Sequence, residues 1–279
     1  MFFYAFFETF VFLQTSLKVW AVFCVRNRKE DEFMKTPNVF KRREIKYLIT
    51  DLQKEALMRF VLQNMHPDEF GKSTIRNVYF DTPDFKLISN SLEHPLYKEK
   101  LRLRSYCKAN QSTPSFVEIK KKYNGIVYKR RVQMPLAQAN DFLGGGMPVD
   151  RNQITNEIEF FLRRYPMLMP QVLITYNREA FFENGNSDFR ITFDDNILWR
   201  DYDVSLCKDI YGNGILQSGM NLMEVKTAGA LPLWLVGFLS ENGIFKTSFS
   251  KYGNAYVQMH SGLIKEINAN LYKGELLYA

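Results

Sequence analysis

The stretch that decides the reading is Tyr97-Lys98-Glu99-Lys100-Leu101-Arg102-Leu103-Arg104-Ser105-Tyr106, followed by Phe116-Val117-Glu118-Ile119-Lys120-Lys121-Lys122. In a strand, alternate side chains share one face. Lys100, Arg102, Arg104 and Tyr106 then point one way, and Leu101 and Leu103 the other. The second run repeats the scheme, with Glu118, Lys120 and Lys122 opposite Val117 and Ile119. Asn124-Gly125 is a strong signal for a two-residue hairpin, with a return strand from Ile126 to Val132. That loop length sets Lys120 across from Lys129 and Glu118 across from Arg131. Like charges directly opposite one another destabilise a sheet. A doubled cation is stabilised when an anion lies between the two. For one strand alone a solvated sheet face would explain the pattern; its repetition on several strands points to a binding surface.

Outward from this hairpin, the chain continues the same alternation. Phe40 to Ile49 reads as a strand with Arg42, Glu44 and Lys46 on one face. Thr50 and Gln53 form a capping-box pattern for a helix to about Gln63, with Leu52, Ala56, Leu57, Phe60 and Val61 as its apolar stripe. Arg76 to Asp81 reads as a strand closed by Thr82-Pro83-Asp84. Pro135 starts a short helix that stops at Gly144-Gly145-Gly146. Ile154 to Tyr165 is amphipathic, with Ile154, Ile158, Phe161 and Leu162 inward. Further strands run over Pro170 to Phe181 (Ile174, Tyr176 and Arg178 on one side), Phe189 to Asp195 (Arg190, Thr192 and Asp194) and Leu222 to Thr227 (Glu224 and Lys226). A helix covers about Pro232 to Ser240, and Ser248 or Ser250 caps a last helix whose first turn holds Lys251.

Composition narrows the function. The chain has 279 residues, is 46% apolar and carries a net charge of +7. Residues 1–33 hold equal numbers of basic (Lys18, Arg26, Arg28, Lys29) and acidic (Glu8, Glu30, Asp31, Glu32) side chains, so the excess belongs to 34–279. A basic domain suggests a polyanionic partner: nucleic acid, anionic lipid or polyphosphate. Cys24, Cys107 and Cys207 have no paired spacing, which argues against a disulfide framework or a zinc site and suits a reducing, cytoplasmic compartment. His66, His94 and His260 are scattered, so histidine catalysis is not expected. Residues 2–25 are apolar but broken by Glu8, Gln14 and Lys18. They read as a spurious or disordered extension, or as a membrane anchor with Arg26, Arg28 and Lys29 at its cytoplasmic end. Met34 opens onto a well-patterned domain, and 34–279 reads as one α+β unit.

Collected by face, the strands present Arg42, Lys46, Arg102, Arg104, Lys120, Lys129, Arg131, Arg178, Arg190 and Lys226, accompanied by Glu44, Glu118, Asp194 and Glu224. Their opposite faces are apolar and need helices or loops to cover them. A sheet charged inside and apolar outside inverts an ordinary small barrel. Such a lumen is tolerable when it is wet and a multivalent anion occupies it. Arginine suits bidentate phosphate contacts, and the carboxylates could hold Mg²⁺ or Mn²⁺ bridging the phosphates. A nucleic-acid binder fits less well, because no exposed aromatic stacking set accompanies the cations.

The chain resembles the VTC domain, the polyphosphate polymerase branch of the CYTH-like triphosphate tunnel metalloenzymes. The resemblance runs in order over 38–256. It is carried by Glu44-Ile45-Lys46-Tyr47, Tyr79-Phe80-Asp81-Thr82-Pro83, Lys100-Leu101-Arg102-Leu103-Arg104 and Glu118-Ile119-Lys120. It continues in Tyr128-Lys129-Arg130-Arg131, Asn177-Arg178, Glu224-Val225-Lys226 and Ser250-Lys251-Tyr252. It implies an antiparallel β tunnel barrel with a charged lumen, helices packed outside, and metal-dependent transfer of the ATP γ-phosphoryl group to a growing polyphosphate chain. By that resemblance Lys46, Arg102, Arg104, Lys120, Lys129, Arg131, Arg178, Arg190 and Lys226 grip phosphates. Glu224 is the metal ligand, and Lys251 sits at the tunnel mouth. Hydrolytic members of the superfamily open with Glu-x-Glu-x-Lys, whereas Arg42 stands at the first position here. That favours a polymerase, leaving a tunnel triphosphatase and a non-catalytic polyphosphate-binding module as alternatives. Deleting residues 1–33 is expected to leave the thermal melt and ATP turnover unchanged; a large loss of either in the 34–279 protein would show that the extension belongs to the catalytic fold.

Overall fold

The structure is a computed structural model and describes residues 43–261 apart from Gly125. The apolar extension, the start at Met34, and Arg42 lie outside the described residues. The strands are β1 (Arg43–Thr50), β2 (Met65–Pro67), β3 (Ser73–Asp81), β4 (Tyr97–Ser105), β5 (Pro114–Tyr123), β6 (Ile126–Pro135), β7 (Met169–Glu183), β8 (Asn186–Arg200), β9 (Asn213–Gly214), β10 (Met220–Thr227) and β11 (Lys246–Thr247). The helices are α1 (Asp51–Asn64), α2 (Lys86–Leu92), α3 (Leu136–Leu143), α4 (Gln153–Arg164), α5 (Leu233–Glu241) and α6 (251–261). No helix among the described residues is long and apolar enough to cross a membrane.

All strands join one antiparallel sheet in the order β11-β1-β10-β8-β7-β3-β4-β5-β6, with β2 on β7 and β9 on β8. The hairpin register is the expected one: Tyr123 pairs with Ile126, Lys120 with Lys129 and Glu118 with Arg131. Asn124 takes φ +44°, the left-handed backbone that a two-residue turn requires. The strand path does not close on itself through backbone pairing. Side chains draw its ends together instead: Lys120 Nζ on β5 lies 3.6 Å from Glu44 Oε2 on β1.

The outer face is covered as the alternation demands. Leu101, Leu103, Val117 and Ile119 pack under α3 and α4 through Phe142, Ile158 and Phe161. Tyr47, Ile191, Met223 and Val225 pack under α1 and α5 through Leu57, Val61, Leu235 and Phe238. The capping box at Thr50 and Gln53 forms. The buried stripe of α1 is narrower than its periodicity suggests, since Leu52 is 78% exposed. To these outer helices the structure adds one on the inside. Ser250 caps α6, its Oγ accepting the Gly253 N–H at 3.1 Å. Tyr252 and Ala255 of α6 then pack on Tyr79, Ile174, Tyr176 and Leu222, on the same face as the cations. This apolar plug fills one part of the lumen and confines the charge to the rest.

Asp81, at the end of β3, anchors the plug. Its carboxylate accepts the N–H groups of Leu87 and Ile88 at the start of α2 and the hydroxyl of Tyr252. Asp81→Ala would leave those buried donors unpaired, at a cost of about 2–3 kcal/mol. A urea-unfolding series on this variant is expected to show that loss with little change in slope; a change below about 0.5 kcal/mol would mean α2 and α6 are held by packing alone.

Candidate functional site

Strand register assembles the site. Glu44 pairs with Lys226 and Lys46 with Glu224 across β1 and β10, and Arg190 and Thr192 of β8 pair with Lys226 and Glu224. Arg178 pairs with Asp194 across β7 and β8, and Arg102 with Glu118 across β4 and β5. Opposed residues of a pair share a face, so every described cation of the expected set lies on one inner surface. Lys251 reaches the same surface from α6.

Within it, four carboxylates act as hubs. Arg178 grips Asp194 with two bonds of 2.6 Å, and its Nη2 also donates to Glu224 at 3.0 Å. Lys251 Nζ bridges the same pair, 2.5 Å from Asp194 and 3.2 Å from Glu224. Its side chain is 9% exposed, so Lys251 sits inside the lumen rather than at its mouth. Lys46 lies between Glu44 at 3.4 Å and Glu224 at 3.7 Å. On the far wall Glu118 is held by Arg102 at 2.6 Å and Lys129 at 2.8 Å, with Arg104 at 3.8 Å. Burial works to raise the carboxyls of Glu44, Glu118 and Glu224, but the surrounding cations outweigh it. Lys120 and Lys46 bring Glu44 down to about 2, and Glu224 and Glu118 are held well below the usual carboxylate range. Lys251, conversely, keeps its proton above the ordinary lysine range because Glu224 and Asp194 offset its burial.

Several residues that were not among the expected phosphate and metal ligands complete the walls. Tyr79 stacks on Tyr252 at 4.7 Å and accepts from Arg102 at 3.3 Å. Asn77 accepts from Arg104 Nε at 2.8 Å, and the Tyr176 hydroxyl meets Arg104 at 3.5 Å. The Tyr176 ring lies 4.6 Å from Lys251. Asn77 and Tyr79 alternate with Val78 and Phe80 on β3, a signal readable in principle but carrying no charge. Lys100 belongs to the same face and bonds Ser250 Oγ at 3.2 Å. Arg131 is directed to the ring of Phe116, at 4.6 Å. Arg190 is only loosely tied, 3.4 Å from Asp68 and 4.7 Å from the Phe182 ring. Its Nε, like Thr192 Oγ1, is buried with no hydrogen-bond partner. Unpaired buried donors are costly, and the register places both residues on the inner face.

For a divalent cation, no three His, Cys, Asp or Glu side chains gather among the described residues. Mg²⁺-type sites need only one or two carboxylates when phosphates supply further oxygens. Glu44 and Glu224, flanking Lys46, meet that smaller requirement. The cations outnumber these carboxylates, and three lysines register the excess. Burial takes Lys129 to about 7 although Glu118 opposes it. Burial, then Lys120, Lys98 and Lys46, press Lys100 down to about 7. Burial also takes Lys226 to about 8 although Glu224 opposes it.

These three lysines fix a pH dependence. Their folded values lie below the ordinary 10.5, so from about pH 7 to pH 10 the unfolded chain binds more protons than the native state. Stability of the ligand-free protein is therefore expected to rise with pH through that window. A bound polyanion recharges them, so tripolyphosphate binding at pH 8 should take up protons and weaken by pH 9. Calorimetric titration in buffers of different ionisation heat measures the uptake; none at pH 8 would contradict the assignment.

A Bacillus halodurans protein assigned as an adenylate cyclase is 14% identical, covering 76% of this chain and 94% of its own, with a TM-score of 0.47. A Hippeastrum protein assigned as an adenylyl cyclase, with a dominant triphosphatase activity, is 16% identical over 75% and 92%, with a TM-score of 0.45. A Vibrio parahaemolyticus protein, also assigned as an adenylate cyclase, is 13% identical over 77% and 97%, with a TM-score of 0.41. No curated protein matches the chain. The family model described as the VTC domain matches residues 41–260, nearly the whole of the sheet with its cationic lumen, and the chain belongs to that family.

Proposed function

We propose that the protein is a polyphosphate polymerase, transferring the γ-phosphoryl group of ATP to the end of a growing polyphosphate chain inside the cationic lumen. The observation that carries this reading is the surplus of inward cations after each carboxylate has been neutralised. Lys100 and Lys226 make no ion pair among the described residues, and Arg190 Nε and Thr192 Oγ1 await acceptors. A chain of phosphates supplies closely spaced anionic oxygens to all of them.

The chemistry asks for positioning and charge neutralisation. A terminal oxygen of the bound chain attacks Pγ of ATP, the bond from Pγ to the β–γ bridging oxygen breaks, and its electron pair leaves on ADP. The attacking oxygen is already anionic, so no side-chain base is required. Arg102, Arg104 and Lys129 would hold one stretch of phosphates, and Arg178, Arg190, Lys226, Lys46 and Lys251 the other. Lys120 and Arg131 would extend the grip at the sides. A divalent metal, Mn²⁺ or Mg²⁺, held by Glu224 with Glu44 would neutralise charge on the transferring phosphates. Cations turned into a lumen, rather than spread over an outer face, suit a flexible phosphate chain better than a nucleic acid. Residues 1–33 would supply the anchor if the protein associates with a membrane.

Incubating the purified chain with ATP and Mn²⁺ and separating polyphosphate from free phosphate tests the reading. Polyphosphate with stoichiometric ADP is expected. Free phosphate alone would assign a triphosphatase, and tripolyphosphate binding without turnover would assign a binding module. Glu224→Gln is expected to stay folded and bind tripolyphosphate while turnover falls by about a hundredfold or more, the effect of losing charge stabilisation in the transition state. Arg104→Ala should weaken binding itself. Near-normal turnover by Glu224→Gln across a Mn²⁺ titration would reduce Glu224 to a counter-ion for Arg178 and Lys251.

A further inference from the structure

Beyond the central hubs, β4 and β5 carry an arrangement of which only the inner half, Lys100 and Lys120, enters the site chemistry above. Lys98 is directly opposite Lys122, and Lys100 is directly opposite Lys120. Alternation puts all four on the inner face that holds Arg102 and Glu118. Opposed residues in an antiparallel pair have Cβ atoms about 5 Å apart, and like charges there are destabilising. Two such pairs in succession form a lysine square.

The square is not edge protection, the usual reason for lysines on strands. β4 lies between β3 and β5, and β5 between β4 and β6, so both are interior. Nor do nearby carboxylates neutralise it. Among the described residues only Lys120 has an acidic partner, Glu44, and that is shared with Lys46. Lys98 Nζ donates to the Ser91 carbonyl at 3.2 Å and Lys100 Nζ to Ser250 Oγ. Both ammonium groups are thus oriented by neutral acceptors that leave their charge uncompensated. Burial and the other lysines lower the proton affinity of both Lys98 and Lys100. The α6 plug packs on β3, β7 and β10 and meets the square at Lys100, which bonds Ser250 Oγ and lies 5.9 Å from the Tyr252 ring, while Lys98 and Lys122 lie further out along β4 and β5. The cationic face therefore continues past the plug, from Arg102 to Lys98, over four residues or about 14 Å of strand.

We propose that the lysine square, with Lys98 and Lys122 at its outer end, is a second anion subsite that guides a long polyphosphate chain out of the lumen. This rests on the polymerase reading and deepens it. A polymerase that adds phosphate at one point must conduct the lengthening chain away from that point, and only a ligand longer than three phosphates reaches both the hubs and the outer lysines. The subsite discriminates by chain length, not by the chemistry of the terminal phosphate.

The test uses the full chain carrying Lys98→Gln and Lys122→Gln together, two positions outside the proposed transfer machinery. Affinities for tripolyphosphate and for long-chain polyphosphate are measured by calorimetry against the wild type, with circular dichroism to check folding. The expected result is about a tenfold or greater loss for the long chain, the scale of two lysines removed from a polyanion's path, with less than about a twofold change for tripolyphosphate. Lys98→Arg with Lys122→Arg should retain long-chain affinity, separating charge from packing. If the wild type binds both ligands and the Gln variant matches it, or loses both equally, the guiding subsite is overturned while the tunnel reading stands. A wild type that binds neither ligand overturns both.

Discussion

The structure depends on holding an excess of positive charge on the concave face of one sheet. Brought out of water without partners, so many cations would repel one another by far more than a domain's net stability. Four carboxylates make the face possible, and each is shared. Glu224 connects Arg178 of β7, Lys46 of β1 and Lys251 of α6, while Glu118 connects β4 to β6. Glu44 links β1 to β5, drawing together the ends of a sheet whose backbone ladder stays open. Buried ion pairs of this kind are weak evidence for stability, because desolvation offsets most of their attraction. Their value here is geometric: they fix where the remaining, unneutralised cations stand.

The inner face is divided by chemistry. On one part Ile174, Leu222, Tyr252 and Ala255 form a dry plug, and on the other lie the ionic hubs. Aromatic residues mark the boundary and serve both sides. Tyr79 packs on Tyr252 and bonds Arg102, and Tyr176 belongs to the apolar cluster while touching Lys251 and Arg104. An amphipathic ring is suited to that position, having an apolar body and a polar tip. The plug also bears on electrostatics, since low-dielectric walls strengthen interactions across the adjacent lumen. Helix α6 thus delivers Lys251 and insulates the surface it joins.

Much of this was legible in the chain because two of its signals are local. Period-two alternation is a property of each strand, so Leu101/Arg102/Leu103/Arg104 and Phe189/Arg190/Ile191/Thr192 disclose their faces without reference to neighbours. The Asn124-Gly125 turn leaves one register for β5 and β6, and Lys120 opposite Lys129 follows from counting residues. The narrower buried stripe of α1 was not legible, because Leu52 is apolar at the right spacing and only the extent of its neighbours leaves it exposed.

Sequence by itself determined the faces, the cap at Thr50, the inverted polarity of the sheet and the family to which the chain belongs, while the structure chose Ser250 over Ser248 as the cap of α6. Tertiary structure alone decided which carboxylate neutralises which cation, since Arg178, Glu224 and Lys251 come from three elements distant along the chain. It also decided that α6 turns inward. An apolar helix stripe specifies that it must be buried, not against which side of a sheet, and the choice is made where Tyr79, Tyr176 and Leu222 interrupt the charged face with a surface the helix can cover.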